Sequence, residues 1–378
     1  MRLFFMVLLY LIPPVLLGNT VSKERSALWV VRYAVTTKSD VDRVLSTAIE
    51  LKITDIFFQI RALGQTYYNS QWEPKSKSIG SEFDPLDYII KKSIHTGIRI
   101  HAWVNMFYVW AGDQFPDDKS HIIHKYSQYV LRNGEYPDYK SLKQQGHEGY
   151  FLDPKVFAVQ NDLLLCLEEI SKYYDLAGIH LDYFRYPSLA YSFTPTSRTM
   201  FMMNDLFDPW KVYQSAQSYA ENRGFEVFLH ADKIYRKSLT TALSNYLELI
   251  SNTIKSIRPD LELSVAVKPD PIEAKHRYFQ DWLSWLKDSY CDFVAIMNYR
   301  TEWKDFSFVL EQLEPQNLSD KIIVGISTYN QDEKAVLKRL EAAKKGGFLG
   351  YSLFSYNHLI ENKAYLMNLK REIIVGKQ

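Results

Sequence analysis

Gly178-Ile179-His180-Leu181-Asp182-Tyr183-Phe184-Arg185-Tyr186-Pro187 reads as one buried β-strand running into a turn. His180 and Asp182 alternate with apolar residues and so share a face. A strand with no solvated face belongs to a parallel sheet covered by helices. A carboxylate buried there costs several kcal/mol unless it is paired or protonated, and a raised pKa or an arginine partner is the setting used for acid or nucleophile chemistry. Arg185 stands near enough in sequence to be that partner. Asp182 is therefore the leading catalytic candidate, and His180 is read as orienting its neighbours inside the sheet.

Working outward, similar apolar, β-branched or aromatic runs occupy residues 28–33, 55–60, 98–104, 261–267, 293–297, 322–327 and 348–354, alternating with helical patterns. Asp84-Pro85 and Asp153-Pro154 read as helix starts with proline at the first helical position, and Gly97 as the end of the first of these helices. Val156, Leu163, Leu167 and Ile170 give the second its helical spacing, and Asp40 and Asn330 are candidate caps for the first and seventh helices. Eight strand–helix units in succession predict an α/β fold, a (β/α)₈ TIM barrel, rather than a doubly wound sheet. Two connections, 107–150 and 188–237, are too long for simple loops. Both follow strand C-termini, the face that carries barrel chemistry, so they are expected to wall a substrate cleft. Residues 134–139 in the first and 191–210 in the second would supply its aromatic groups.

Lys and Arg total 45 against 44 for Asp and Glu, so no net field draws nucleic acid or an anionic membrane. With 47% hydrophobic and 24% charged residues the chain can bury a large core. Its 27 Tyr, 21 Phe and 8 Trp supply rings that stack on sugar faces. Met1-Arg2 followed by an apolar run from Leu3 to Leu17 and then Gly18-Asn19-Thr20 fits a secretory signal peptide. The expected organisation is a signal over 1–20 and one barrel domain over 21–378, exported, with an uncleaved anchor as the alternative. Cys166 and Cys291 sit in apolar surroundings and lack metal-ligand spacing, so two buried thiols are expected. No cofactor and no stable protein partner is implied.

The polar residues expected at strand C-termini are few. They are Arg32 after the first strand, Gln59 and Arg61 after the second, Asn105 after the third, and Asp182 with Arg185 at the fourth. The second half adds Lys268 and Asp270, then Asn298, Tyr299 and Glu302, then Tyr329, and finally Ser355 and Tyr356. Most glycosidases use two carboxylates. Asp270 and Glu302 are the acids best placed in the second half to partner Asp182.

Five strings carry a resemblance: Phe57-Phe58-Gln59-Ile60-Arg61-Ala62 with Tyr67-Tyr68, Phe83-Asp84-Pro85-Leu86, His101-Ala102-Trp103-Val104-Asn105, Phe151-Leu152-Asp153-Pro154, and the strand-four string. In this order and at these barrel positions the chain resembles the glycosyl hydrolase-like family 10 proteins over most of its length. The resemblance implies a barrel acting on polysaccharide, with cell-wall glycan as substrate class. It also implies Asp182 as key carboxylate, lined by Gln59, Arg61, Asn105 and Arg185. Where many relatives carry a second acid directly after that aspartate, Tyr183 stands here. The strand-four string and Met297-Asn298-Tyr299 are also similar in style to family 18 chitinases, which use the substrate's own N-acetyl group, although the chitinase acid has no counterpart among Phe184 and Arg185.

The expected function is thus a glycoside hydrolase acting on an N-acetyl-sugar-containing, peptidoglycan-type glycan, with Arg32, Arg185, Asn298 and Tyr299 among the substrate-binding residues. Arginine forks at strand ends would suit an acidic group such as the lactyl carboxylate of muramic acid. Two other readings stay open. One is a carbohydrate-binding barrel without turnover. The other is a metal-dependent deacetylase or hydrolase drawing on His101, His180, His230 and Asp232, for which no recognised metal spacing is present.

Overall fold

The computed structural model describes residues 24–132 and 148–375. The expected signal segment 1–20 and the aromatic stretch 134–139 lie outside the described residues.

Eight strands close into a barrel: β1 (Arg25–Val30), β2 (Asp55–Ala62), β3 (Arg99–Asn105), β4 (Gly178–Asp182), β5 (Glu262–Val267), β6 (Phe293–Met297), β7 (Ile322–Ser327) and β8 (Gly350–Phe354). Each pairs in parallel with its sequence neighbours, and β1 pairs with both β2 and β8, which completes the ring. All eight expected runs are strands. The first is shifted, because 32–34 form a 3₁₀ turn beyond the end of β1.

Alternation along the strands divides the core in two. Outward side chains such as Ile56, Phe58, Ile179 and Leu181 pack under the helices. Inward ones fill the lumen around Trp29, whose ring lies 4.9 Å from Phe57, 4.7 Å from Trp103 and 4.6 Å from His180. Gly178 opens β4 without a side chain because a Cβ there would stand 2.4 Å from His101 Nδ1 and 2.7 Å from the Glu262 carbonyl oxygen. The lumen is therefore packed with side chains, and a cavity opens at its C-terminal mouth.

The helix starts are partly as expected. Asp84 caps Pro85–Ser93, accepting from the N–H groups of Leu86 and Asp87, each at 3.0 Å. The first helix, Lys38–Glu50, is instead capped by Thr37, with Asp40 completing a capping box from inside the helix. The seventh, Glu333–Lys345, is capped by Asp332, whereas Asn330 accepts from the Ser327 hydroxyl at 2.6 Å. Asp153 does not cap the helix, which begins at Phe157: its wholly buried carboxyl accepts from the Lys155 N–H at 2.9 Å and from the Thr194 hydroxyl at 2.6 Å. The Thr194 bond ties the second insertion to the barrel.

The second insertion is helical rather than looped. Helices Pro195–Asp205, Pro209–Gln214 and Ala216–Arg223 lead into Phe225–Ile257. Its aromatics form a core of their own, with the Phe193 and Tyr235 rings stacked at 5.2 Å and Phe201 edge-on to Tyr235 at 5.0 Å. Having packed on one another, none of them lines the cavity at the barrel mouth. The expectation that residues 191–210 wall the cleft is corrected accordingly.

Candidate active site

A cavity of about 460 Å³ opens at the C-terminal ends of the strands. Its floor is the top of the lumen core, Trp29, Trp103 and Phe354, and its rim carries Arg32, Tyr33, Gln59, Asn105, Tyr299 and Tyr329. Asp182 lies at the base, only 6% exposed. Trp103 Nε1 donates to its Oδ2 at 3.1 Å and the Tyr183 N–H to its Oδ1 at 2.6 Å. Burial pushes its carboxyl up to about 6, outweighing those two bonds and the charge of Arg185, while Glu148 adds a further upward push. Such a carboxyl is still protonated in mildly acidic solution.

The N–H that reaches Asp182 belongs to a residue in an unusual conformation. Tyr183 has φ of 50°, the left-handed region that bulky side chains avoid, and backbone held there clusters at functional sites. The turn lays the Tyr183 ring against Tyr108 at 4.5 Å, where it walls the cavity.

Arg185 does not pair with Asp182 directly. Its Nη2 donates to Glu148 Oε2 at 2.8 Å, and its guanidinium packs 5.0 Å from the Tyr183 ring and 5.2 Å from that of Tyr278. Lys268 also lines the cavity. Burial and the Arg185 charge hold its ammonium below the ordinary value against the pull of Glu148 and Asp182. Gln59 Oε1 accepts from Arg32 Nη1 at 3.1 Å and its Nε2 donates to Asn105 Oδ1 at 3.4 Å, so these three expected residues form one chain along the rim.

The structure thus brings together Arg32, Gln59, Asn105, Asp182, Arg185 and Tyr299 on one cavity and leaves four expected site residues off it. Arg61 is wholly buried outside the barrel, where Nε and Nη2 each meet a Glu73 carboxylate oxygen at 2.6 Å. Asp270 caps helix Pro271–Arg277 through the N–H groups of Ile272 and Glu273. Glu302 is exposed at the start of helix Trp303–Leu313, away from the cavity. Asn298 is buried, with its Nδ2 donating to the Phe306 carbonyl at 3.1 Å.

His180 is bonded at Nδ1 to Ser264 Oγ at 2.8 Å, and His101 Nε2 to Asp55 Oδ1 at 2.9 Å. His230 is exposed on a helix. Among the described residues no three His, Cys, Asp or Glu side chains gather as a metal site would require. Cys166 and Cys291 are both free and buried.

Glu148 is the residue that sequence reasoning missed. It precedes a two-stranded ribbon in which Tyr150–Phe151 pair with Tyr108–Trp110, and the Tyr108 hydroxyl donates to its carbonyl oxygen at 2.9 Å. Gly149 follows it at φ of 148°, where a Cβ would lie 2.2 Å from the Trp110 carbonyl oxygen. That glycine is the one local signal of a tight crossing. The pairing itself joins residues some forty positions apart and has no sequence pattern.

A family model described as Glycosyl hydrolase-like 10 matches residues 26–335. Among curated proteins, the chain is 24% identical over 270 residues to glycosyl hydrolase DigH of Escherichia coli K12, covering 66% of this chain and 55% of DigH. It is 18% identical over 288 residues to glycosyl hydrolase YngK of Bacillus subtilis, covering 69% of this chain and 49% of YngK. The chain therefore spans about half the length of these relatives. Among solved structures it is similar to the PgaB (BpsB) glycoside hydrolase domain of Bordetella bronchiseptica, with a TM-score of 0.70 at 12% identity over 92% of this chain and 98% of that one. It is also similar to the β-amylase catalytic domain of Paenibacillus polymyxa, with a TM-score of 0.59 at 13% identity over 94% and 98%. At such identities the structural likeness speaks for the barrel fold. The family match spans the barrel from β1 into the helix after β7, and the chain belongs to the glycosyl hydrolase-like 10 family.

Proposed function

We propose that this protein is a glycoside hydrolase that cleaves O-glycosidic bonds in an N-acetyl-sugar-containing cell-wall glycan of the peptidoglycan type, with Asp182 as its principal carboxylate. The observation that carries the proposal is the buried Asp182 carboxyl, raised to about 6, at the base of a cavity on the C-terminal face of a barrel. A carboxyl that keeps its proton to that pH is suited to deliver it to the glycosidic oxygen as the bond to C1 breaks. Tyr33 and Tyr329 are exposed rings at the cavity rim, suited to sugar faces. Arg32 and Lys268 bring positive charge to the cavity beside the Arg185–Glu148 pair, which favours a glycan bearing a carboxylate such as the lactyl group of muramic acid. Such a substrate would be met after export, with residues 1–20 as the signal.

The test uses the protein lacking residues 1–20 beside Asp182→Asn, incubated with peptidoglycan glycan strands freed of peptides and with chitin oligomers, products being weighed by mass spectrometry. Wild type is expected to release shorter saccharides, and Asp182→Asn to do so roughly 10²- to 10⁴-fold more slowly. Equal rates on the uncharged chitin oligomers would remove the anionic-group part of the proposal. A second reading, a non-catalytic glycan-binding barrel, is favoured by Tyr183 standing directly after Asp182 in place of a second acid. It expects binding without products from either protein, and equal affinities.

A further inference from the structure

We propose that Glu148 is the second carboxylate of the site, the base that takes a proton from the attacking water; this rests on the glycosidase reading above. Among the described residues, Asp182 and Glu148 are the acidic side chains that line the cavity. The two are close enough for the Glu148 charge to act on Asp182. Of the acids expected from sequence, Asp270 is held by the helix it caps, and Glu302 is exposed away from the cavity.

The two carboxyls sit in opposite surroundings, which is how one site holds an acid and a base at once. Asp182 is sealed beneath the cavity against Trp103. Glu148 is half-exposed and pairs with Arg185, so solvent reaches it and a fixed cation faces its charge. It is positioned from both sides, its carbonyl by the Tyr108 hydroxyl and its side chain by Arg185. Arg185 is in turn wedged between the Tyr183 and Tyr278 rings.

In the step this assigns, the water oxygen bonds to C1 while the bond from C1 to the leaving oxygen breaks. That bond's electron pair stays on the leaving oxygen, which takes the proton of Asp182. The proton lost by the water goes to Glu148. One glycoside and one water become two saccharides, and the two carboxyls return to their starting states by exchange with solvent.

Glu148→Gln and Glu148→Ala, beside wild type and Asp182→Asn, test this on glycan strands freed of peptides, with and without sodium azide. The expected result is a loss of about 100-fold or more in kcat for both Glu148 variants, measured on protein that circular dichroism shows to be folded. Azide, an anion that needs no base, is expected to restore turnover in Glu148→Ala and to appear in the product as a glycosyl azide. Glu148→Ala is also expected to lose the acidic limb of the pH–rate profile and keep the alkaline limb. A residue that only holds Arg185 in place would show no glycosyl azide and keep both limbs, which overturns the proposal. So does Glu148→Gln turning over within about threefold of wild type. Wild type releasing nothing from any glycan would overturn the hydrolase reading itself, a result distinct from an active wild type with active Glu148 variants.

Discussion

Asp182 is held by contacts that suit its ionised form, two N–H donors and a nearby guanidinium, yet its carboxyl is raised because burial outweighs them. This has a consequence for stability whose sign is fixed. A folded-state value of about 6 against an ordinary 3.8 means that the native state binds the proton more tightly than the unfolded chain. Raising the pH from about 4 to about 6 therefore costs native stability, and above that the cost is constant. Asp182→Asn has no proton to lose. Its stability relative to wild type is expected to rise by about 2 kcal/mol between pH 4 and pH 7, most of it below pH 6. Hydrogen bonds lost on substitution shift both ends equally and cancel. Urea denaturation of the two proteins at each pH reads this directly, and a difference independent of pH would show that Asp182 titrates normally. Strand alternation alone was enough to single out Asp182 in the sequence, because a polar residue on a buried face is conspicuous. Glu148 was illegible for the opposite reason, being an ordinary glutamate made special by a ribbon that pairs distant residues.

At the scale of the element, one irregularity decides which residues reach the site. On β2, Phe57 and Gln59 point inward, and strict alternation would bring Arg61 in after them. Between Gln59 and Arg61 the register slips: Gln59 stands beside Trp103, but Arg61 beside Val104. This bulge at Ile60 turns Arg61 to the outer side of the barrel. There it pairs with Glu73 and donates through Nη1 to the Met106 carbonyl oxygen at 3.0 Å, which secures the end of β3. Arg61→Met leaves the Glu73 carboxylate nearly buried without a counter-charge, and is expected to cost about 3–5 kcal/mol. Thermal and denaturant melts measure that loss, and material that stays folded should bind glycan with unchanged affinity. A tenfold weaker affinity at intact stability would return Arg61 to the site. The eight barrel strands were legible because each is a near-continuous apolar run, and a two-residue period carries no sign of a bulge. The insertion helices and the true caps at Thr37 and Asp332 were harder, since several polar residues compete for each helix start and only packing decides among them.

The whole barrel divides its charged chemistry between two ends. Opposite the cavity, Arg25 on β1, Asp55 on β2, Arg99 and His101 on β3 and Glu262 on β5 form one network. Arg25 grips Glu262 through two bonds of 3.0 and 2.6 Å, Arg99 bridges Glu262 and Asp55, and His101 meets Asp55 from the lumen. Burial alone would raise the Asp55 carboxyl, but the His101 bond and charge, then the Arg99 charge, bring it down to about 2. The linkage here runs opposite to that of Asp182. A depressed carboxyl contributes stability that is present above its ordinary 3.8 and lost as the pH falls toward 2. Of these two groups, Asp55 makes the fold firmer as the pH rises from 2 to 4, and Asp182 loosens it from 4 to 6. Asp55→Asn is expected to cost about 3–5 kcal/mol at pH 7, because Arg99 and His101 lose the charge they surround. It should also abolish about 2 kcal/mol of the stability change that wild type shows between pH 5 and pH 2. Denaturant titrations across that range test both figures, and an acid limb of full size in Asp55→Asn would place its origin in another group. Because the network lies at the far end of a solidly packed lumen, kcat on glycan strands should stay within about twofold of wild type in whatever Asp55→Asn protein remains folded. A large drop in kcat would mean that the two ends are mechanically coupled through the Trp29, Phe57 and His180 stack.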